Sequence, residues 1–421
     1  MKVVIIAGGQ GTRIRSVNSE VPKAMIPVAG KPIIEWEIEM AKRQGFEDFL
    51  IITGYLGEQI RAYLGNGERW GVKIEYYQEE QPLGTAGALG YLKDRLTEDF
   101  FVFYGDTIVD IDMQRMMDFH REREADATLF VHPNDHPYDS DIVDMAADGK
   151  VRGFFLKPHP EGFVSHNTVN ASLFIFSPTV LERIEIGKKS HIEKNVLPRC
   201  LAEGLRLFGY NSPEYIKDMG TPDRYEAVGE DIRSGRVEKM NFKNSRKAVF
   251  LDRDGTINRE VNLLDKAEKI ELIEGAAEAI RRINKSGMLA IVVTNQPVIA
   301  RNLCDFDELD RIHATLETRL GEEGAYVNAI YYCPHHPDSG YPEERKEYKI
   351  ECECRKPKPG MLTRAAKEWN IDLGESYMIG DGKRDYEAGI NAGVKRSIMI
   401  EQNAPNALLH AVEEILSGRN S

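Results

Sequence analysis

Two short apolar runs, each breaking abruptly into a loop, constrain the fold of this chain more than any other feature. Val3-Val4-Ile5-Ile6-Ala7 runs into Gly8-Gly9, and Ala248-Val249-Phe250-Leu251 runs into Asp252. Such runs of β-branched and apolar residues, bounded by turn formers, read as buried strands. Ligands in open α/β sheets bind outside the carboxyl ends of the strands, where these two loops begin. A single core rarely grows beyond about 250–300 residues, so a chain of 421 residues with two such openings predicts two units.

The same alternation continues behind each opening. FLIITGY, FFVFYGD and ATLFVH read as strands, and EWEIEMAKRQG as a helix closed by Gly45. In the second half LAIVVTNQ and YMIGDG are strands, and EGAAEAIRRINKSG is a helix. Strands alternating with helices predict parallel sheets flanked by helices, twice over. Between the halves EDIRSGRVEKMNFKNSRK is polar and lacks apolar periodicity. The expected boundaries are residues 1–235, a linker over 236–246, and residues 247–421.

Composition excludes several classes. A chain with 42% hydrophobic and 29% charged residues is globular in type. No apolar run approaches the ~18 residues of a bilayer span. MKVVIIAGGQ lacks the segments of a signal peptide. With five cysteines in all, the expectation is a reducing cytoplasm, without a membrane or a disulfide framework. The net charge of -13 argues against nucleic acid as partner.

The first loop is AGGQGTRIRSVNSEVPKAMIPVAGKP. Gly8, Gly9 and Gly11 allow backbone N–H groups to approach an anion or a base, and Arg13 and Lys23 add positive charge for a polyphosphate. Neither the Walker pattern nor the dinucleotide fingerprint is present. Gly8-Gly9-x-Gly11-Thr12-Arg13 with Pro22-Lys23 resembles the signature of the sugar-1-phosphate nucleotidylyltransferases. The resemblance runs from Met1 to about Gly235, through Pro82-Leu83-Gly84-Thr85-Ala86-Gly87, Gly105-Asp106, Lys157-Pro158, Asn170-Ala171 and Asp218-Met219-Gly220-Thr221-Pro222. Arg15-Ser16-Val17 and Glu20-Val21-Pro22-Lys23 are most similar to its heptose-1-phosphate guanylyltransferase branch.

That resemblance implies a Rossmann-like domain in which a sugar phosphate attacks the α-phosphorus of an NTP and pyrophosphate leaves. Such a transfer needs positioning and charge neutralisation more than a covalent catalyst. Asp106 and Asp218 would hold Mg²⁺, and Arg13 and Lys23 would stabilise the pyrophosphate and α-phosphate. Lys157 would hold the attacking phosphate, Asn170 a sugar hydroxyl, and the backbone from Gly84 and Thr85 to Gly87 the base. The plainer readings stay open: Asp106 and Asp218 as turn residues, Lys157 as a solvated loop lysine. One departure is Ser172, where the family commonly has glycine.

The second half opens with Asp252-Arg253-Asp254-Gly255-Thr256. Two aspartates just after a buried strand can face a phosphorus and its leaving oxygen, with Mg²⁺ between phosphate and carboxylate. The later ligands of a calcium loop are missing. Thr294-Asn295, Lys356 and Gly380-Asp381 follow in the order of the haloacid dehalogenase phosphatases, which this half resembles from about Lys247. The resemblance implies that Asp252 is the nucleophile and Asp254 the acid and base. Thr294, Asn295 and Lys356 then bind the phosphoryl group or substrate, and Asp381 completes a Mg²⁺ site with Asp252 and the backbone carbonyl of Asp254. Asp385 reads equally well as a helix cap.

Cys333-x-His335 and Cys352-x-Cys354 offer three thiolates and an imidazole, a set that suits a closed tetrahedral Zn²⁺ site. The polar excursion between them has too few apolar residues to pack itself, so a metal staple fits the need. Unrelated buried thiols, a redox pair, and His336 as the ligand remain alternatives. The arrangement resembles the capless phosphatases that cleave D-glycero-D-manno-heptose 1,7-bisphosphate at C7, and is shared by histidinol-phosphate phosphatases. On that likeness the zinc is structural and its loop carries Arg355 and Lys356 to the substrate. Pro297 and Gly382 depart from the heptose pattern.

The expectation is therefore two doubly wound parallel-sheet domains, the second capless with a zinc loop. Together they would make a nucleotide-activated heptose from an NTP, GTP in the first instance, and a phosphorylated heptose. A mannose- or glucose-type transferase, a histidinol-type phosphatase, or one inactive half are the alternatives. Association into a homo-oligomer is left open.

Overall fold

The computed structural model describes residues 1–9, 20–338, 340 and 343–418. The chain divides into two compact units. One comprises Met1–Val131, Val143–Leu156 and Asn170–Asn241, and the other His132–Ile142, Lys157–Val169 and Phe242–Ser421.

In the first unit β1 (Val3–Ala7) is followed by α1 (Ile33–Arg43), β2 (Asp48–Thr53), β3 (Lys73–Gln78) and β4 (Phe100–Tyr104). β1 lies between β2 and β4, parallel to both, and β3 continues beside β2. The short strand β5 (Thr107–Asp110) leaves β4, and β6 (Val169–Phe176) adds antiparallel to β4. β7 (Tyr215–Asp218) pairs antiparallel with β5 and leads into α2 (Pro222–Arg233). A parallel core thus carries an antiparallel margin.

β1 is apolar at every position because both its faces are covered. Val3 and Ile5 pack into one apolar cluster and Val4 into another, on opposite sides of the sheet. Within the stretch read from sequence as a linker, Arg236–Lys239 form a helical turn. Val237 is buried there, and Asn241 Nδ2 donates to Asp110 Oδ1 at 2.7 Å.

The second unit repeats the device. β8 (Ala248–Leu251), α3 (Ala276–Ser286), β9 (Leu289–Asn295), α4 (Phe306–Glu322), β10 (Ala329–Cys333), β11 (Tyr377–Gly380), α5 (Lys383–Ala392) and β12 (Arg396–Met399) follow in order. The sheet runs β10-β9-β8-β11-β12, and every pairing is parallel. Val249 and Leu251 face one apolar cluster, Ala248 and Phe250 the other. α3 buries Ala276, Ala279, Ile280 and Ile283, a stripe at helical spacing, and stops at Gly287 with φ of 82°. Each isoleucine on that stripe contributes roughly 1.5–3 kcal/mol by burial. Strand order reverses at β8, so the loop beginning at Asp252 opens where such sheets bind ligands.

Candidate functional site

The loops after β1, β3 and β4 enclose a cavity of about 600 Å³ in the first unit. Ala7, Gly8, Gly9, Lys23, Gln78, Pro82, Gly84, Thr85, Tyr104 and Asp106 are among its lining residues. A Cβ at Gly8 would meet the end of the Glu79 side chain, which would have to shift to admit it. Gly11, Thr12 and Arg13 fall outside the described residues.

Asp106 sits between β4 and β5 and forms an ion pair with Lys23. The β5–β7 ladder sets Asp218 opposite Thr107, and Met219 N donates to Asp106 O at 3.1 Å, so the two aspartates are neighbours. Burial works against the Asp218 charge. Arg224 at 2.5 Å, the Gly220 N–H at 2.9 Å and nearby Lys23 outweigh it and hold the carboxyl below its ordinary range. Asp106 and Asp218 thus bring hard oxygen donors of the kind Mg²⁺ takes to neighbouring backbone positions, each paired with a cation, and Asp218 is not among the cavity's lining residues.

Lys157 and Asn170 are not among the lining residues. Lys157 belongs to the second unit, where its Nζ donates to Asp139 O at 2.8 Å. Asn170 Oδ1 accepts from Ser172 N at 3.1 Å.

In the second unit the loop after β8 meets residues from three other strand ends. Lys356 is completely buried, with Nζ 2.8 Å from Asp252 Oδ1 and 2.6 Å from Asp385 Oδ1, and it donates to Val293 O at 2.7 Å. Asn295 fixes its backbone by two reciprocal bonds of 3.0 Å. Burial pushes the Asp252 carboxyl up to about 6, with Lys356 opposing and Asp385 adding to the rise.

Asp254 is handled differently. Burial opposes its charge, yet the buried Arg253 guanidinium grips both its oxygens at 2.8–3.1 Å. Asn258 donates to it at 2.9 Å and Gln296 at 2.8 Å, so it stays below the ordinary carboxylate range. Gln296 Nε2 also reaches Thr294 Oγ1 at 2.9 Å, joining Asp254 to the threonine. Arg253, Asn258 and Gln296 carry no motif weight alone, and only their adjacency to known motif residues could have flagged them.

Asp252, Asp381 and Asp385 present oxygens within 4.8 Å of one another. Asp381 Oδ1 is buried and has no hydrogen bond among the described residues, while Oδ2 accepts from Gln402 at 2.7 Å. Burial, then the Asp252 charge, raises the Asp381 carboxyl. An unsatisfied buried carboxylate oxygen inside an oxygen-donor triad fits Mg²⁺. The Asp254 side chain is outside this group, committed to Arg253, and Asp385 is inside it. Asp385 also caps α5, its Oδ2 accepting from Gly382 N at 2.9 Å. Gly255, at φ of 81°, leaves room for Asp381, which a Cβ would strike.

Cys333, His335, Cys352 and Cys354 converge in the same unit. Their sulfurs lie 3.1–3.4 Å apart, too far for a disulfide, and His335 Nδ1 is 3.4 Å from Cys354 Sγ. The Cys333 and Cys352 thiols bonded to Cys354, with His335, draw its thiol down to about 5 against burial. A thiolate held among thiols and an imidazole is a soft donor set that fits tetrahedral Zn²⁺. His336 stands outside the group and is mostly buried rather than exposed, with a side chain 12% accessible. Arg355 Nη1 donates to His335 O at 3.0 Å, tying the cluster to the loop of Lys356.

Residues 2–235 match the nucleotidyl transferase family, and residues 207–393 match the haloacid dehalogenase-like hydrolases. A mannose-1-phosphate guanylyltransferase of Mycobacterium tuberculosis is 32% identical over 234 residues, covering 55% of this chain and 64% of its own. The chain thus spans less than two thirds of that relative. A D-glycero-beta-D-manno-heptose-1,7-bisphosphate 7-phosphatase of Haemophilus influenzae is 40% identical over 159 residues, 38% of this chain and 84% of its own. The solved structure of HddC from Yersinia pseudotuberculosis aligns with 55% of this chain and 99% of its own, at 25% identity and a TM-score of 0.47. No helix among the described residues is long and apolar enough to cross a membrane. The chain therefore belongs to the nucleotidyl transferase family through its first half and to the haloacid dehalogenase-like hydrolases through its second.

Proposed function

We propose that this chain is a bifunctional enzyme of nucleotide-activated heptose synthesis, with residues 1–235 as the transferase, 236–246 as connector and 247–421 as the phosphatase. The second half removes the C7 phosphate from D-glycero-D-manno-heptose 1,7-bisphosphate, and the first transfers GMP from GTP to the resulting heptose 1-phosphate. One observation carries this reading: a single chain joins a half 40% identical to a heptose bisphosphate 7-phosphatase to a sugar-1-phosphate transferase half. The product of the one is the substrate class of the other. GTP is favoured by the 32% identity to a guanylyltransferase.

In the phosphatase, an Asp252 oxygen attacks phosphorus, the sugar alkoxide leaves, and Asp254 passes the alkoxide its proton. Asp254 then takes a proton from water that cleaves the aspartyl-phosphate. Arg253 favours the carboxylate and so supports the second role more strongly than the first. Lys356 and Thr294 neutralise and hold the phosphoryl group. Mg²⁺ held by Asp252 and Asp381 would supply charge neutralisation. In the transferase, Lys23 offsets phosphate charge beside Asp106 and Asp218, whose Mg²⁺ would serve the same end.

Mg²⁺ affinity of the phosphatase should depend on pH. Burial pushes the Asp252 carboxyl up to about 6, and its protonated form is a poor ligand, so apparent affinity should fall as pH drops through that value. Calorimetry at pH 5 and pH 7 should differ by roughly tenfold; equal affinities would contradict the assignment.

The decisive test is one reaction resolved by mass spectrometry: protein, Mg²⁺, the four NTPs, and the α- or β-anomer of heptose 1,7-bisphosphate. GDP-heptose and orthophosphate are expected. Orthophosphate without a nucleotide sugar would reject the transferase assignment, and no orthophosphate would reject the sugar bisphosphate.

A further inference from the structure

Ser172 occupies a backbone conformation that its residue type disfavours. It lies within β6 at φ of 57°, in the left-handed region that glycine enters freely and residues with a Cβ rarely do. β6 lies between the strand Ile142–Met145, which it bridges at Val169, and β4, which it pairs with from Phe174 onward, so Ser172 falls just short of the β4 ladder. Continuing the register Phe174↔Val102 by two residues brings Ser172 level with Tyr104. Irregularities of this kind re-aim side chains beside active sites.

The re-aimed hydroxyl has a specific partner. Ser172 Oγ donates to Glu193 Oε1 at 3.3 Å, and Tyr104 OH donates to the same oxygen at 2.6 Å. The Ser172 amide is fixed in turn by Asn170 Oδ1 at 3.1 Å. Tyr104 lines the cavity, as does Thr85, whose hydroxyl accepts from Ile192 N at 2.9 Å. Two elements of the cavity wall therefore hold the segment that carries Glu193. With Oε1 taken twice, Glu193 Oε2 has no hydrogen bond among the described residues. Glu193 is not itself among the cavity's lining residues. Its carboxylate, only partly exposed, has one oxygen held twice and the other without a partner among the described residues, which leaves it an acceptor for a sugar hydroxyl.

We propose that Glu193 accepts a hydroxyl of the sugar 1-phosphate, and that Ser172 is a positioning residue that fixes this carboxylate and so tunes which sugar is taken. This rests on the transferase reading above. It assigns Ser172 a use that offsets its strained backbone, which a glycine at that position would relieve.

The test compares wild type with Ser172→Gly, Ser172→Ala and Glu193→Gln, using GTP with heptose 1-phosphate and with mannose 1-phosphate. Ser172→Gly relaxes the backbone and removes the whole hydroxymethyl group, while Ser172→Ala removes the hydroxyl alone, so the fold should persist in Ser172→Gly. The KM for the preferred sugar 1-phosphate should rise about tenfold, the KM for GTP should stay within about twofold, and discrimination between the two sugars should narrow. Glu193→Gln should raise the same KM on the order of tenfold or more. Ser172→Ala should resemble Ser172→Gly in KM. Wild-type sugar KM in Ser172→Gly, or equal rises for GTP and sugar, would overturn the inference. A wild-type enzyme that turns over neither sugar with any NTP would overturn the transferase reading and the inference together.

Discussion

Replacing Asp252 with asparagine should lower orthophosphate release by ~10³-fold or more, while nucleotidyl transfer from heptose 1-phosphate should continue at the wild-type rate. Asparagine matches aspartate in shape but has no anionic oxygen to attack phosphorus. The substitution does not strand the buried ammonium beneath it, because Lys356 keeps Asp385 at 2.6 Å and Val293 O at 2.7 Å. It also removes a carboxyl that burial already pushes up to about 6, so the variant should fold at least as well as wild type. Phosphate release and nucleotide-sugar formation are measured in parallel, the latter with heptose 1-phosphate supplied directly. Loss of both activities would reject two independent active sites. Unchanged phosphate release would reject Asp252 as the nucleophile.

Cysteine 354 supports a second large effect. Cys354→Ser removes the thiol drawn down to about 5, whose sulfur lies 3.1 Å from Cys333 and 3.3 Å from Cys352. Zinc content should fall from about one ion per chain to near none by elemental analysis. Structural zinc in small domains binds with roughly 10 kcal/mol or more. Losing even a third of that should lower Tm by about 7–13 °C in a unit of this size. Phosphatase activity should fall as well, because Arg355 and Lys356 follow Cys354 directly and Arg355 bonds the His335 carbonyl. Cys200→Ser is the control: Cys200 is buried, and burial raises its thiol to about 11, away from any metal reading. Stoichiometric zinc and an unchanged Tm in Cys354→Ser would refute the metal centre.

Chemistry that is local in sequence was legible before any fold was known. Two apolar runs ending in Gly8 and Asp252 mark strands covered on both faces, because a strand with one wet face would alternate. Cys333 with His335, and Cys352 with Cys354, stand out because metal ligands on one loop must be close in sequence. Asp252, Thr294, Lys356 and Asp381 were recognisable as types in order, though not as neighbours.

What the sequence could not determine is which charge meets which. Lys356 bridges Asp252 and Asp385, the Arg253 side chain turns back on Asp254, and Asp385 is both helix cap and ion partner. Lys157, assigned by its motif to the transferase, bonds Asp139 within the second unit. Ser172 became informative only once its φ and its bond to Glu193 were known. Strand periodicity and the spacing of the cysteines and histidine are set over a few residues, so the sequence alone determined the two folds and the cluster of Cys333, His335, Cys352 and Cys354. Ion pairs and open acceptors depend on distances between loops far apart in the chain, and only tertiary packing decided those.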